Sequence, residues 1–291
     1  MLWWYAALAG GIAFGLIYLI ANHVMQEASS FDFAALFTVL AAVLYLPVAV
    51  ATGSLTGAAF TTTALAALAA SVTANVAAVI AINAAIKQGE VSLVTPLIRT
   101  QPVFTAVVGF ALLGESLDPV KLGGIGLVTA GGYIVLLDGD TDMLEPVRTL
   151  RSDLAPQLAL LSGFLLAVAA VSDRFATQTI GSTAYTFFLL TGMASAFLIY
   201  IALRSPDRFR SIQASFKRHT AAYLLVGVLS VVAYYSTVKA LSLAAASRVI
   251  PIHQIQVLVG VVGGFLFFGE RGVLRKLVGS TLLIAGVGLI V

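Results

Sequence analysis

Ten long apolar stretches follow one another along the chain, joined by short polar turns. A bilayer core is crossed by about 20 helical residues. Inside hydrocarbon each backbone N–H and C=O must be satisfied within its own segment, so stretches of this length read as membrane-spanning helices. They lie at 3–25, 33–52, 62–86, 91–113, 120–137, 156–177, 183–203, 220–240, 247–268 and 272–290. The first lacks a basic leading region and opens on Trp3, Trp4 and Tyr5, so it reads as a retained span with an aromatic interface anchor. Charged residues make up 10% of the chain and hydrophobic ones 60%. With a mean hydropathy of +1.02, a water-facing surface for a 30.3 kDa globule is excluded.

Absent residues narrow the chemistry further. There is no cysteine, which excludes disulfides, thiolate metal sites and cysteine nucleophiles. The three histidines, His23, His219 and His253, are scattered, and neither HExxH nor GxSxG occurs, so neither a metal centre nor a hydrolase site is expected. No Walker-type loop is present, so no nucleotide or other cofactor is expected. The net charge of +3 is spread over the loops without interleaved aromatics, which argues against a nucleic-acid partner.

The chain repeats itself at an offset of 155 residues without gaps, most closely over 85–115 against 240–270, where ten of 31 positions are identical. Ala85 matches Ala240, Ser92 matches Ser247, Pro96 matches Pro251, Gln101 matches Gln256, Gly109 matches Gly264, and Gly114-Glu115 matches Gly269-Glu270. Beyond them Lys121 meets Lys276, Gly124 meets Gly279 and Gly131 meets Gly286. The longest and most acidic connection, Asp138 to Asp153, is the natural midpoint. This divides the chain into a first unit at 1–138, a connection at 139–155 and a second unit at 156–291. Each unit holds five spans. Five is odd, so the second copy sits upside down relative to the first, an arrangement used by many secondary transporters for alternating access.

The repeated pattern joins Ala-Ile or Ala-Leu, a small-residue turn, Ser with Pro four residues on, a helix-ending Gly-Glu, and Lys with Gly in the next helix. It resembles the EamA-type branch of the drug/metabolite transporter superfamily. The resemblance implies an all-α membrane protein of ten transmembrane helices in two inverted five-helix repeats. It also implies a cavity lined mainly by spans 1, 3, 4, 6, 8 and 9, with spans 5 and 10 as packing elements. Small multidrug-resistance relatives depend on a mid-membrane Glu in the first span for cation antiport; Trp3 to Met25 contains no carboxylate, so that chemistry is not expected here.

Polar side chains in hydrocarbon usually face a bundle interior or a wet cavity. Arg99 is the most deeply placed charge, with Thr95 one turn before it on the same face, while a continuous helix puts Gln101 on nearly the opposite face. His253, Gln256, Gly260 and Gly263 form a stripe along span 9 that serves either as a cavity wall or as a close-packing face. Asn75, at the middle of span 3, serves either a solute or a neighbouring helix, and Tyr234 rather than Tyr235 is the expected cavity tyrosine. Pro96 and Pro251 occupy equivalent positions and are the expected helix-bending residues. Asn22, His23, Asp173 and Arg174 read as interfacial, which leaves no Asp or Glu at depth. Glu115 and Glu270 read as ties from the short turn to the next helix, through Lys121 and Arg275 or Lys276.

With Arg99 at depth and Lys239, Arg248 and His253 near the turn between spans 8 and 9, the cavity is expected to favour an anion or zwitterion. The functional expectation is a secondary carrier in the cell membrane for a small metabolite such as an amino acid or organic acid. Its substrate-contacting residues would be Asn75, Thr95, Arg99, Tyr234, His253 and Gln256, with His253 as the candidate for proton coupling. The alternatives from the same superfamily are a lipid or lipid-linked sugar flippase and a drug efflux carrier. Eleven Lys and Arg residues fall on the face opposite the termini and four on the face holding them. The positive-inside rule thus puts both termini outside, whereas the resemblance implies the reverse.

Overall fold

A computed structural model of the chain describes residues 3–24, 29–56, 60–89, 91–136, 144–204, 207–268 and 273–291. In chain order its helices are α1 (Trp3–Val24), α2 (Ser30–Ala51), α3 (Thr62–Gln88), α4 (Val91–Ile98), α5 (Gln101–Leu113), α6 (Pro119–Leu136) and α7 (Glu145–Arg148). The second half holds α8 (Leu154–Ile180), α9 (Ser182–Arg204), α10 (Arg208–Arg218), α11 (Thr220–Leu243), α12 (Ala246–His253), α13 (Ile255–Phe268) and α14 (Val273–Ile290). Among the described residues nine segments are long and apolar enough to cross a membrane, and α14 is the tenth span. The protein is an all-α, multi-pass integral membrane protein.

The two five-span units interlock rather than sit side by side. α1 packs on α11 and α3 on α8, so each unit's first helix lies against the other unit's third span. α2 meets its counterpart α9, and α6 meets α14. The α6–α14 crossing is built on the four glycines that match in sequence. A Cβ on Gly286 would stand 2.6 Å from the Gly124 carbonyl oxygen, and one on Gly279 2.7 Å from that of Gly131. The backbones therefore touch, as small residues permit where no hydrophobic effect drives helices together.

Spans 4 and 9 are not continuous helices. Residues 91–113 form α4 and α5 with a turn at Arg99-Thr100, and residues 246–268 form α12 and α13 with a turn at Gln254. In the first unit Pro102 supplies the reason: it has no N–H for the Ile98 carbonyl, and its ring would collide with that carbonyl in a continued helix. The Thr100 hydroxyl donates to the Leu97 carbonyl at 2.7 Å and so meets one acceptor freed by the break. Pro96 and Pro251 each lie shortly before their break. Glycine admits a facing helix at both. Gly11 of α1 packs over the His253 carbonyl, and Gly163 of α8 over that of Ile98. Gly11 and Gly15 thus make contacts within the chain.

The ties at the helix ends differ from the sequence expectation. Gly114 ends α5 in a left-handed conformation (φ 64°), and the Glu115 N–H donates back to the Gly109 carbonyl at 3.2 Å. The Glu115 side chain then lies over Gly109, which has no Cβ to obstruct it. It does not reach Lys121, which pairs with Asp118 instead. It accepts from the Ala246 N–H at 2.7 Å, and from the Ser247 N–H and hydroxyl at 3.0 and 2.5 Å. A carboxylate of the first unit therefore caps α12 of the second, where the orphan N–H groups and the helix dipole favour negative charge. Glu270 and the side chains of Asn22 and His23 lie outside the described residues.

The basic connection between spans 7 and 8 is helical. α10 carries Arg208, Arg210, Lys217 and Arg218 with no acidic residue, rests Ile212 and Phe216 half-buried on the core, and is fastened to α2 where Arg208 Nη1 donates to Asp32 Oδ1 at 3.1 Å.

Candidate functional site

The helix breaks open onto a central cavity of about 420 Å³, within the range of small-molecule sites. Its wall is mostly apolar and aromatic, with Phe14 and Tyr18 from α1, Phe33 and Phe37 from α2, and Tyr234 from α11. Among the described residues α6 and α14 contribute none to it, while α2 and α9 add residues to the helices that the resemblance names.

Asn75, Thr95, Arg99, Tyr234, His253 and Gln256 all line this one cavity. So does Gln101, against the expectation from helical spacing, because the turn at Arg99-Thr100 resets the angular phase between α4 and α5. Of the paired tyrosines Tyr234 faces the cavity, and Tyr235 packs beside Tyr45 with ring centroids 6.1 Å apart. Lys239 and Arg248 are not part of the lining.

Arg99 directly follows the C-terminus of α4, where the helix dipole favours a cation. Its Nη1 is 3.5 Å from Gln254 Oε1, at the long limit of a hydrogen bond, and its guanidinium carbon stands 5.6 Å from the Tyr18 ring centroid. Nε is buried without a hydrogen-bond partner, and no carboxylate among the described residues pairs with the guanidinium. The fork thus has donors to spare.

His253 Nε2 lies 3.0 Å from Thr237 Oγ1, and the Thr237 hydroxyl donates to the Ala233 carbonyl at 2.8 Å. With the hydroxyl proton committed there, the bond assigns Nε2–H of His253 as the donor and leaves Nδ1 as the unprotonated nitrogen of the neutral ring. The ring also packs edge-on against Phe14, at 5.1 Å between centroids. Gln256 is buried and donates from Nε2 to Gln254 Oε1 at 3.4 Å, which ties the start of α13 to the Arg99 neighbourhood.

Asp173 corrects the sequence reading most. It is not interfacial but 8% exposed, and it lines the cavity, so the interior does hold a carboxylate. The Ser71 hydroxyl donates to Oδ1, and the Tyr185 hydroxyl donates to the same oxygen at 2.6 Å. Asn75 donates from Nδ2 to the Ser71 carbonyl and hydroxyl at 3.0 and 3.2 Å, so one amide serves both a helix contact and the cavity wall. A position seven residues from the end of a 27-residue helix reads as peripheral, but α8 outruns the expected 156–177 and keeps Asp173 inside. The sequence signal was the 3.6-residue spacing of Leu166, Ala169, Ala170 and Asp173 on one face. Its neighbour Arg174 is peripheral and donates to the Leu241 carbonyl at 2.7 Å near the end of α11.

The EamA-like transporter family model matches the sequence over residues 1–137 and again over 154–291. The chain belongs to the EamA-like transporter family. A solved structure, described as the crystal structure of a protein, shares this family member's fold with a TM-score of 0.72 at 13% sequence identity. The match covers 97% of this chain and 96% of that one. No curated protein matches the chain. As an EamA-like protein it is a transporter of the drug/metabolite superfamily. The interlocked five-span units, broken helices and central cavity form its scaffold.

Proposed function

We propose that this EamA-like protein is a secondary carrier in the cell membrane that moves a small anionic or zwitterionic metabolite, such as an amino acid or organic acid. It would work by alternating access of its two inverted repeats. The observation that carries this reading is Arg99, a guanidinium facing the cavity with a buried, unpaired Nε and no carboxylate partner among the described residues. A buried charge is costly unless compensated, and a solute carboxylate or phosphate compensates a planar fork bidentately. Thr95, Asn75, Tyr234, His253 and Gln256 surround the same space and supply the remaining polar contacts. Broken helices at a midplane site are a recurring transporter device.

The test is a thermal-stability screen of the purified protein against organic acids, amino acids, nucleotide sugars and lipophilic cations, since a ligand of the folded state raises apparent stability. Stabilisation by an anionic or zwitterionic class that is lost in Arg99→Gln supports the reading. Stabilisation by lipophilic cations alone, unaltered in Arg99→Gln, refutes it in favour of drug efflux. Proton linkage through His253 belongs to the same proposal; uptake whose pH dependence is unchanged in His253→Gln removes it.

A further inference from the structure

Arg99 leaves one question about the cavity open: what balances the carboxylate that lines the same space. Both hydroxyls around Asp173, those of Ser71 and Tyr185, donate to Oδ1. Oδ2 accepts from no described residue, and the side chain borders the cavity. The groups that face it from the packed elements are Ser71 and Asn75 on α3, Tyr185 on α9 and Tyr234 on α11, all neutral. The other charged or titratable residues lining the cavity are Arg99, His253, Tyr18 and Tyr234, and Asp173 makes an ion pair with neither Arg99 nor His253. A carboxylate more than nine-tenths buried, fixed by two donors on one oxygen and bare on the other, is preorganised for a cation that arrives from the cavity.

The repeat gives a second, independent reason. Residues that build the scaffold occur twice: Pro96 and Pro251, Gly114-Glu115 and Gly269-Glu270, Gly124 and Gly279. The cavity charges occur once. Arg99 corresponds to neutral Gln254, and α1, the counterpart of α8, carries no carboxylate. Opposite charges were thus placed singly, one in each repeat, bordering the same cavity.

Resting on the anion role of Arg99, we propose that Asp173 forms a second subsite that receives the ammonium group of the solute, so that the transporter takes a zwitterion with an apolar body. The carboxylate end lies at Arg99 and the ammonium end at Asp173 Oδ2, with Asn75 and Tyr234 beside it.

The experiment compares two probes that differ only in the amino group, leucine and 4-methylpentanoate, by ligand-induced thermal stabilisation of the full chain and by competition in proteoliposome uptake. Wild type is expected to prefer leucine at least tenfold, and Asp173→Asn to bring that ratio close to one. Tyr185→Phe keeps the carboxylate and is expected to retain a preference for leucine. Equal affinities in wild type overturn the ammonium subsite even if Asp173→Asn fails to fold. In that case loss of 4-methylpentanoate binding in Arg99→Gln shows that the anion reading survives. A leucine preference that persists in Asp173→Asn while the pH dependence of uptake disappears identifies the occupant as a free proton and overturns the proposal. Binding of neither probe overturns it together with the reading on which it rests.

Discussion

Arg99 Nη1 and Gln254 Oε1 lie 3.5 Å apart, and the two residues are each other's counterparts in the duplicated sequence, 155 positions apart. A residue meets its own counterpart only on the axis that relates the two repeats. The cation therefore sits where the inverted units face one another, and a change in how they pack alters its surroundings first.

That geometry makes Gln254 a handle on Arg99. Gln254→Glu puts a carboxylate against the guanidinium and occupies the fork internally. A charge-assisted hydrogen bond is worth about 1.5–3 kcal/mol, so the apparent affinity for an anionic solute is expected to fall roughly 10- to 100-fold. Gln254→Leu, which removes the two long contacts to Arg99 and Gln256 without adding a charge, is expected to change it less than threefold. Uptake KM in proteoliposomes distinguishes the two.

The Glu115 cap ties the end of α5 to the start of α12 across the two repeats. Glu115→Ala removes all three acceptor contacts and is expected to cost about 1–2 kcal/mol of stability, in line with a lost cap and dipole interaction. Ser247→Ala removes only the hydroxyl contact and is expected to cost less. An unchanged unfolding temperature for Glu115→Ala in detergent contradicts the assignment.

At the α6–α14 crossing, Gly286→Ala drives a Cβ to 2.6 Å from the Gly124 carbonyl oxygen and 2.7 Å from the Val128 nitrogen. Both obstacles are backbone, so the helices must separate, at an expected cost of about 1–3 kcal/mol. Gly126 has open space around it, and Gly126→Ala is expected to be neutral or to stabilise by about 0.5–1 kcal/mol. Monodispersity and thermal unfolding of the pair read the difference.

Asp118 caps α6 in the turn before Pro119, accepting from the Lys121 N–H at 2.9 Å and pairing with the Lys121 ammonium. These bonds, the side-chain one foremost, hold its carboxyl below the usual aspartate value of 3.8. A depressed folded-state value means that the contribution is fully present above pH 3.8 and lost as the pH falls below it. Asp118→Asn is expected to flatten the acid limb of a stability–pH profile while leaving its neutral plateau nearly unchanged, because the group is exposed. Identical acid limbs in the two proteins count against the pair.

The sequence by itself determined the membrane-helical class, the duplication and hence its inversion. Apolar length, odd span number and repeated Pro, Gly and Gly-Glu are one-dimensional signals of constraints that act on every such chain. It also brought Arg99, Asn75, Thr95, Tyr234, His253 and Gln256 into view, since polar groups in hydrocarbon are few and costly. Tertiary structure decided which of them share a wall, and that Gln101 and Asp173 join them. The helix breaks at Arg99-Thr100 and Gln254 reset the angular phase on which spacing arguments depend. The depth of Asp173 follows from the extra length of α8 and from the hydroxyls of Ser71 and Tyr185, on two other helices, that satisfy it. Glu115 teaches the same lesson: its partner is 131 residues away in the opposite repeat, a separation across which only packing makes neighbours.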